Sequence, residues 1–283
     1  MDNVIIPNPE LLKKKIAKIK EQGKESMHVL SDFDRTLTHS SVNGARTPSL
    51  ISHLRNGNYL TEDYAEKAKA LFNRYHPIEM STTFGQEEKA EKMKEWWSLH
   101  YKLLADSGLN QETIKRAIKD IINGENIKLR EGVDKFINNL NKNDIPLVII
   151  SSAGIGNMIQ DFLKEKNLLL SNIHIIGNML EFNKEGKFTG IKDNRIIHVL
   201  NKREAELKGL SIYSELEKRK NIILLGDSID DLQMIENSEY ENLISIIFLE
   251  SLESLELVKQ KFDIIITNDS DFSEVNKLLE EII

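Results

Sequence analysis

Apolar positions along the chain fall into two patterns. Short, continuous, largely β-branched runs occur at MHVL ahead of Asp32, PLVIIS at Pro146–Ser151, IHIIG at Ile173–Gly177, IILLG at Ile222–Gly226, ISIIF at Ile244–Phe248 and DIIIT at Asp263–Thr267. Hydrophobicity that is continuous rather than alternating predicts strands buried on both faces of a parallel sheet. Stretches of helical period, such as Asn157–Asn167 and Ser251–Lys261, lie between most of them. Strand, helix, strand at this spacing predicts βαβ units and an α/β, doubly wound, Rossmann-like parallel sheet. The segment MLEFNKEGKFTGI, Met179–Ile191, alternates on both sides of a turn sequence and predicts a β-hairpin.

The rhythm breaks after the first run. From about Ser41 to Arg130 there is no strand pattern, and four helices are expected. Thr47 caps the first, with Pro48 at its first helical position. Thr61 caps EDYAEKAKALFNRY, a long helix runs near Gln86–Ala105, and another near Gln111–Asn123. An insertion of this size predicts an all-helical cap at 41–130 on a core formed by 1–40 and 131–283. The basic run Lys13–Lys20 reads as the solvated face of an N-terminal helix that could pack on either part. Open α/β sheets bind ligands at the carboxyl ends of their strands, so an insertion there would sit above the site.

Charge and composition narrow the function. With 38 Lys+Arg against 45 Asp+Glu, the net charge of -7 argues against a nucleic-acid surface, which needs a basic excess. The absence of cysteine excludes disulfides, thiolate metal sites and cysteine nucleophiles. No apolar run approaches the roughly 20 residues that span a bilayer. The N-terminus lacks the order of charge, apolar stretch and small-residue site that marks a secretory signal. A cytoplasmic protein is expected, monomeric or weakly homo-oligomeric, with a small-molecule partner rather than a nucleic-acid polymer or a membrane.

Polar groups gather where the strands end. They are Asp32 and Asp34, Ser151-Ser152-Ala153-Gly154, Asn201-Lys202, and Gly226-Asp227-Ser228 with Asp230 and Asp231. In a parallel sheet these ends converge on one rim. A buried carboxylate is costly unless paired or metal-bound, and two close together raise each other's pKa. Clustered carboxylates make a hard oxygen site suited to Mg²⁺, which would neutralise Asp32 and Asp227. A serine with backbone N–H groups at a helix start makes an anion site, and a lysine adds positive charge. Together they describe a phosphoryl group held over a carboxylate nucleophile.

These motifs have a family likeness. Asp32-Phe-Asp34-Arg-Thr36-Leu-Thr38 resembles the first motif of the haloacid dehalogenase superfamily, and Ser152, Lys202 and Gly226-Asp227…Asp231 resemble its second, third and fourth, in order. SSAGIG, HVLNK at His198–Lys202, NIILLGDS, YHPIE at Tyr75–Glu79 and EWW at Glu95–Trp97 resemble the cytosolic pyrimidine 5′-nucleotidase family over nearly the whole chain. The resemblance implies a Mg²⁺-dependent nucleoside 5′-monophosphate phosphatase. Asp32 would attack phosphorus. Asp34 would protonate the leaving nucleoside oxygen, then deprotonate the hydrolytic water. Mg²⁺ would be held by the Asp32 carboxylate, the Asp34 main-chain carbonyl and Asp227, with Asp231 ordering a metal-bound water. Ser152 and the Ala153 amide would hold phosphate oxygens, and Lys202 would stabilise Asp32 and the developing charge. Glu79 would contact the nucleoside, with Trp96, Trp97 and His100 lining the base pocket. His100 stands where the family pattern has serine.

Blander readings stand beside these. Asp-x-Asp alone is common on surfaces, Ser152 could be only a helix cap, and Asp231 could only favour a helix start. Adjacent tryptophans face different ways on a helix, so one is expected in the core and at most one on a base. His39 is expected to be incidental. Rival functions are a nucleoside phosphotransferase, a small-metabolite phosphatase and a non-catalytic nucleotide-sensing module.

Overall fold

The computed structural model describes residues 3–81, 83–152, 154–194, 196–203 and 212–283. Its strands are β1 (Val4–Ile5), β2 (Met27–Ser31), β3 (Ser41–Val42), β4 (Ala45–Arg46), β5 (Leu147–Ile150), β6 (Ile173–Ile176), β7 (Leu180–Phe182), β8 (Phe188–Ile191), β9 (Asn221–Gly226), β10 (Asn242–Phe248) and β11 (Ile264–Ile266). Its helices are α1 (Pro9–Gln22), α2 (Leu50–Asn56), α3 (Tyr64–Met80), α4 (Gln86–Asp106), α5 (Gln111–Asn123), α6 (Val133–Lys142), α7 (Gly156–Glu165), α8 (Tyr213–Leu216), α9 (Leu255–Val258) and α10 (Ser273–Ile282).

Each of the six continuous apolar runs is a strand. Together with β1 they form a seven-stranded sheet in the order β1-β11-β10-β9-β2-β5-β6. All neighbours are parallel except β1, which pairs antiparallel with β11. β1 adds only two residues, too few to show a period. β2 lies between β9 and β5, with Ser31 level with Leu225 on one side and Ile149 on the other. That register brings the chain after β2 beside the ends of β9 and β5, where ligands of such sheets bind. The hairpin expected at Met179–Ile191 is β7–β8.

α1 buries Leu12, Ile16 and Ile19 and leaves Lys13, Lys14 and Lys20 exposed. Lys15 meets Asp263 at 2.6 Å and Lys18 reaches the Glu241 carbonyl, so α1 packs on the sheet. Between β2 and β5 lies the helical cap of α2–α5, preceded by the small β3–β4 ribbon, which makes the insertion less than wholly helical. α2 starts at Leu50 with Ser49 as its cap, not Thr47; the Ser49 hydroxyl accepts from Ser52 N–H at 3.4 Å. α3 starts after Asp63, while the Thr61 carbonyl accepts from Tyr64 N–H. α3 also runs through Pro77 to Met80, so Glu79 lies on a helix rather than after a turn. The expected helix at Ser251–Lys261 shrinks to a tight turn and α9, because Leu252 and Leu257 stay exposed while Val258 is buried and Leu255 packs only partly against the core. One apolar core joins the sheet to Leu50, Ile51, Leu54 and Tyr64 of the cap.

Candidate active site

A cavity of about 550 Å³ opens between the strand ends and the cap. Asp32, Asp34, Ser152, Lys202, Asp227, Asp231, Glu79, Trp96, Trp97 and His100 all line it. The structure therefore brings together every expected site residue it describes. Ala153 lies outside the described residues.

Asp32 continues the β2–β9 ladder by donating its N–H to the Leu225 carbonyl at 3.0 Å. Phe33 anchors the loop beyond it, fully buried and edge-on to Phe162 with ring centres 5.8 Å apart. The turn is closed by Arg35, at φ 63°, whose N–H donates to the Thr38 hydroxyl at 2.8 Å. On the neighbouring strand Gly226 ends β9, and a Cβ there would lie 2.5 Å from the Asp231 side chain. Glycine lets Asp231 fold back, and its Oδ2 accepts from the N–H groups of Asp227 and Ser228, each at 3.0 Å. Asp231 Oδ1 accepts from Lys202 Nζ at 2.9 Å, and Lys202 also donates to Asp32. Asn178 fixes the approach to Lys202 through the Ile197 N–H and carbonyl, and Asn201 does so through His198 N–H.

Charge in this rim is unbalanced. Burial, and then Asp32, push the Asp34 carboxyl up to about 7, against the pull of Arg35 and Lys202. Burial, then Asp231 and Asp32, push Asp227 up to about 8, although Arg35 Nε lies 3.1 Å from its Oδ2. Burial raises Asp32 against the pull of Lys202. The two carboxylates facing Lys202 outweigh its burial and keep it protonated. Among the described residues no three acidic or histidine side chains already converge at ligand spacing. The donor chemistry nonetheless fits a hard divalent cation: clustered carboxylate oxygens that hold protons for want of positive charge.

The cap closes the other end. Gly154 stands at φ 85°, and a Cβ there would lie 2.5 Å from the Trp97 ring. Tyr101, one turn along α4, donates its hydroxyl to the Gly154 carbonyl at 2.7 Å. Trp96 is buried and stacked with Tyr75 at 5.9 Å, and its Nε1 has no hydrogen-bond partner among the described residues; Trp97 stacks on it, also at 5.9 Å. Trp96 thus takes the expected core place while both rings reach the cavity. The His100 ring nitrogen lies 3.0 Å from the Tyr64 hydroxyl. Burial, with Arg55 nearby, lowers its pKa to about 3, so the ring is neutral. His76 Nδ1 lies 2.8 Å from Glu79 Oε2, and Lys89 donates to the Glu79 carbonyl.

Four arginines escaped the sequence reading. Arg35, Arg46 and Arg55 line the cavity. Arg35 stands inside the first motif, which was signal enough. Arg55 has no acidic residue three or four places away in the sequence, a weak sign of a cation without a local partner. Arg130 supports the site from behind: it donates to the carbonyls of Arg35, Thr36 and Ser270. His39, expected to be incidental, sits between Glu131 and Asp269 rather than in the cavity.

Comparison with known proteins places this geometry. The pattern of the pyrimidine 5′-nucleotidase (UMPH-1) family matches residues 35–283, so Asp32 and Asp34 stand just ahead of the matched span. The chain is 35% identical over 282 residues to 7-methylguanosine phosphate-specific 5′-nucleotidase B of Xenopus laevis, covering 99% of this chain and 95% of that protein. It is 33% identical over 283 residues to the 7-methylguanosine phosphate-specific 5′-nucleotidase of Homo sapiens, covering 99% and 92%. The solved structure of cytosolic 5′-nucleotidase IIIB bound to cytidine superimposes with a TM-score of 0.89 at 27% identity, covering 100% of this chain and 94% of that one.

Proposed function

Because the chain belongs to the pyrimidine 5′-nucleotidase (UMPH-1) family, and is thus a 5′-nucleotidase, we propose that it hydrolyses pyrimidine nucleoside 5′-monophosphates through an aspartyl-phosphate on Asp32. The observation that carries this reading is one cavity holding Asp32 under Lys202, with Asp34 beside it, and Glu79 with Trp97 at the cap end.

Asp32 Oδ forms a bond to phosphorus as the bond to the nucleoside 5′-oxygen breaks, and Asp34 gives that oxygen its proton. Asp34 then takes a proton from water as the water oxygen bonds to phosphorus, and the Asp32–phosphorus bond breaks to release phosphate. A group with pKa near 7 can serve as acid and then as base at neutral pH. Lys202 stays charged and offsets the negative charge that builds at Asp32. Ser152, together with Ala153, is assigned the phosphate oxygens. Asp32, Asp227 and the Asp34 carbonyl would hold Mg²⁺, which supplies Lewis-acid charge to the phosphoryl oxygens. Asp231 serves by holding Lys202 and the Asp227 loop, and it would order a water on the metal.

Glu79 accepts an N–H from the base, and the Trp97 ring offers it a stacking face. The names of the curated relatives support 7-methylguanosine 5′-monophosphate as a second substrate, because a cationic base gains from an indole face. We place the cap at 41–130, since its two connections run side by side as Thr38 pairs with Leu129. The cytosolic relative supports a cytoplasmic site of action.

The test is phosphate release from CMP, UMP, AMP, 7-methyl-GMP and small phosphate esters, with Mg²⁺ or with chelator. Metal-dependent release favouring CMP or UMP is expected, and Asp32→Asn should abolish it with the fold intact. A fully active Asp32→Asn protein would remove the covalent mechanism.

A further inference from the structure

We propose that Arg55 is a specificity-determining residue that reads a carbonyl oxygen on the base and so selects oxo-bearing bases over adenine. The inference deepens the nucleotidase reading and rests on it for the identity of the ligand.

Four lysines or arginines line the cavity: Arg35, Arg46, Arg55 and Lys202. Three of them face carboxylates among the described residues. Arg35 meets Asp227, Arg46 meets Glu250, and Lys202 meets Asp32 and Asp231. Arg55 meets none. Its Nη2 donates to the Ser52 hydroxyl at 3.1 Å, and its buried Nε has no acceptor among the described residues. The charged neighbours that most proteins supply to such a group are missing from every side described. Tyr64 and His100, which lie close to it, carry no negative charge at neutral pH. Burial lowers the Arg55 pKa, as expected for a cation drawn out of water without compensation.

Position says what the missing partner is. The Arg55 guanidinium lies 5.1 Å over the Phe72 ring. Phe72 stacks on His76 at 4.5 Å and 19°, and His76 bonds Glu79. Arg55 therefore belongs to the Glu79 end of the cavity, whereas Lys202 and Ser152 hold the phosphate end. A guanidinium held over an aromatic ring on one side and by the Ser52 hydroxyl on another has its remaining N–H groups restricted in direction. The N–H groups not engaged by Ser52 can take an acceptor, and the Glu79 oxygen not facing His76 can take a donor. Cytosine, uracil and guanine each offer both an N–H and a C=O. Adenine offers an N–H but no exocyclic carbonyl; its acceptors are ring nitrogens, which end one bond short of where an exocyclic oxygen would reach, so it pairs the half-buried guanidinium less well. Sites built to pair a polar group reject ligands that leave it unpaired far more strongly than apolar pockets reject a misfit.

The experiment compares kcat/KM for CMP and AMP in the wild-type protein, Arg55→Met and Arg55→Lys. Methionine keeps an unbranched, apolar stem to pack on Phe72. In Arg55→Met the CMP value is expected to fall by about 10- to 100-fold, chiefly through KM. The CMP-to-AMP ratio should fall at least about tenfold, and Arg55→Lys should recover part of it. Loss of folding alone would lower both substrates together, so an unchanged ratio in both variants overturns the proposal. A wild-type preference for cytidine 3′,5′-bisphosphate that Arg55→Met erases would assign the residue to a second phosphate and also overturn it. Calorimetric binding of cytidine and adenosine separates this idea from the reading beneath it. If no monophosphate is hydrolysed but Arg55→Met still weakens cytidine alone, the nucleotidase reading fails and this one stands.

Discussion

Asp34 is where physical chemistry constrains the reaction most sharply. It is buried two residues from a second carboxylate, and those two causes, in that order, hold its carboxyl at about 7. The sign of the consequence follows from its first role. To protonate the leaving oxygen it must carry a proton, and that fraction falls as pH rises through about 7. The kcat/KM profile for a nucleoside monophosphate should therefore descend above about pH 7, approaching tenfold per unit. Asp34→Asn keeps the size but cannot exchange a proton. It should lower kcat by about 10²- to 10⁴-fold and flatten that descending limb. A variant that keeps the limb would move the proton transfer to another group. Asp34, Asp32, Lys202 and Asp227 were legible in the sequence, because each follows a strand or a fixed motif. Arg55 was not, because a cation without a partner can be recognised only when all its neighbours are known.

At the scale of elements, the cap and the sheet meet at a neck where two chain connections pass. Thr38 pairs with Leu129, His39 N–H donates to the Lys128 carbonyl, and Arg130 N–H donates to the Leu37 carbonyl. Arg130 ties this neck to the rest of the protein. Its guanidinium lies 4.3 Å over the Phe248 ring, and its Nη1 lies 2.9 Å from Asp269 Oδ1. Asp269 in turn accepts from the N–H groups of Ser40 and Ser41. Removing one partner of a buried charge pair leaves the other uncompensated and costs about 3–5 kcal/mol. Arg130→Ala is expected to lose stability of that order in urea unfolding; a change under about 1 kcal/mol would show that the neck holds without it. No local pattern announced this tie, since Arg130 bonds residues 94, 95 and 140 positions away. The strands were readable for the opposite reason: a run buried on both faces carries its own signal. The start of α2 at Leu50 behind a Ser49 cap and the shrinking of α9 were settled by packing, which overrode caps and period that were only locally favourable.

Across the whole molecule, the rim has more negative charge than its own cations balance. Asp32, Asp34, Asp227 and Asp231 face Lys202 and Arg35. With all of them ionised, four negative charges stand against two positive ones. Burial first, and this crowding of carboxylates second, keep protons on them, so that Asp34 is held near 7 and Asp227 near 8. A group whose pKa is raised on folding stabilises the fold fully below its unfolded value, near 4 for Asp, and that stability is lost as pH rises through the folded value. Metal-free protein should therefore lose stability between about pH 4 and about pH 8, by up to about 1.4 kcal/mol per pH unit for each such group. A divalent cation replaces the protons and reverses the sign, because it binds the ionised oxygens. At a hundredfold excess over Kd the gain is about 2.7 kcal/mol, or roughly 5–10 °C in Tm for a chain of this size. Thermal unfolding with Mg²⁺ against chelator, at matched ionic strength, should show a larger upward shift at pH 8.5 than at pH 6. Equal shifts at the two pH values would mean that Mg²⁺ does not displace protons from these carboxyls, and no shift at either would remove the cation from the rim.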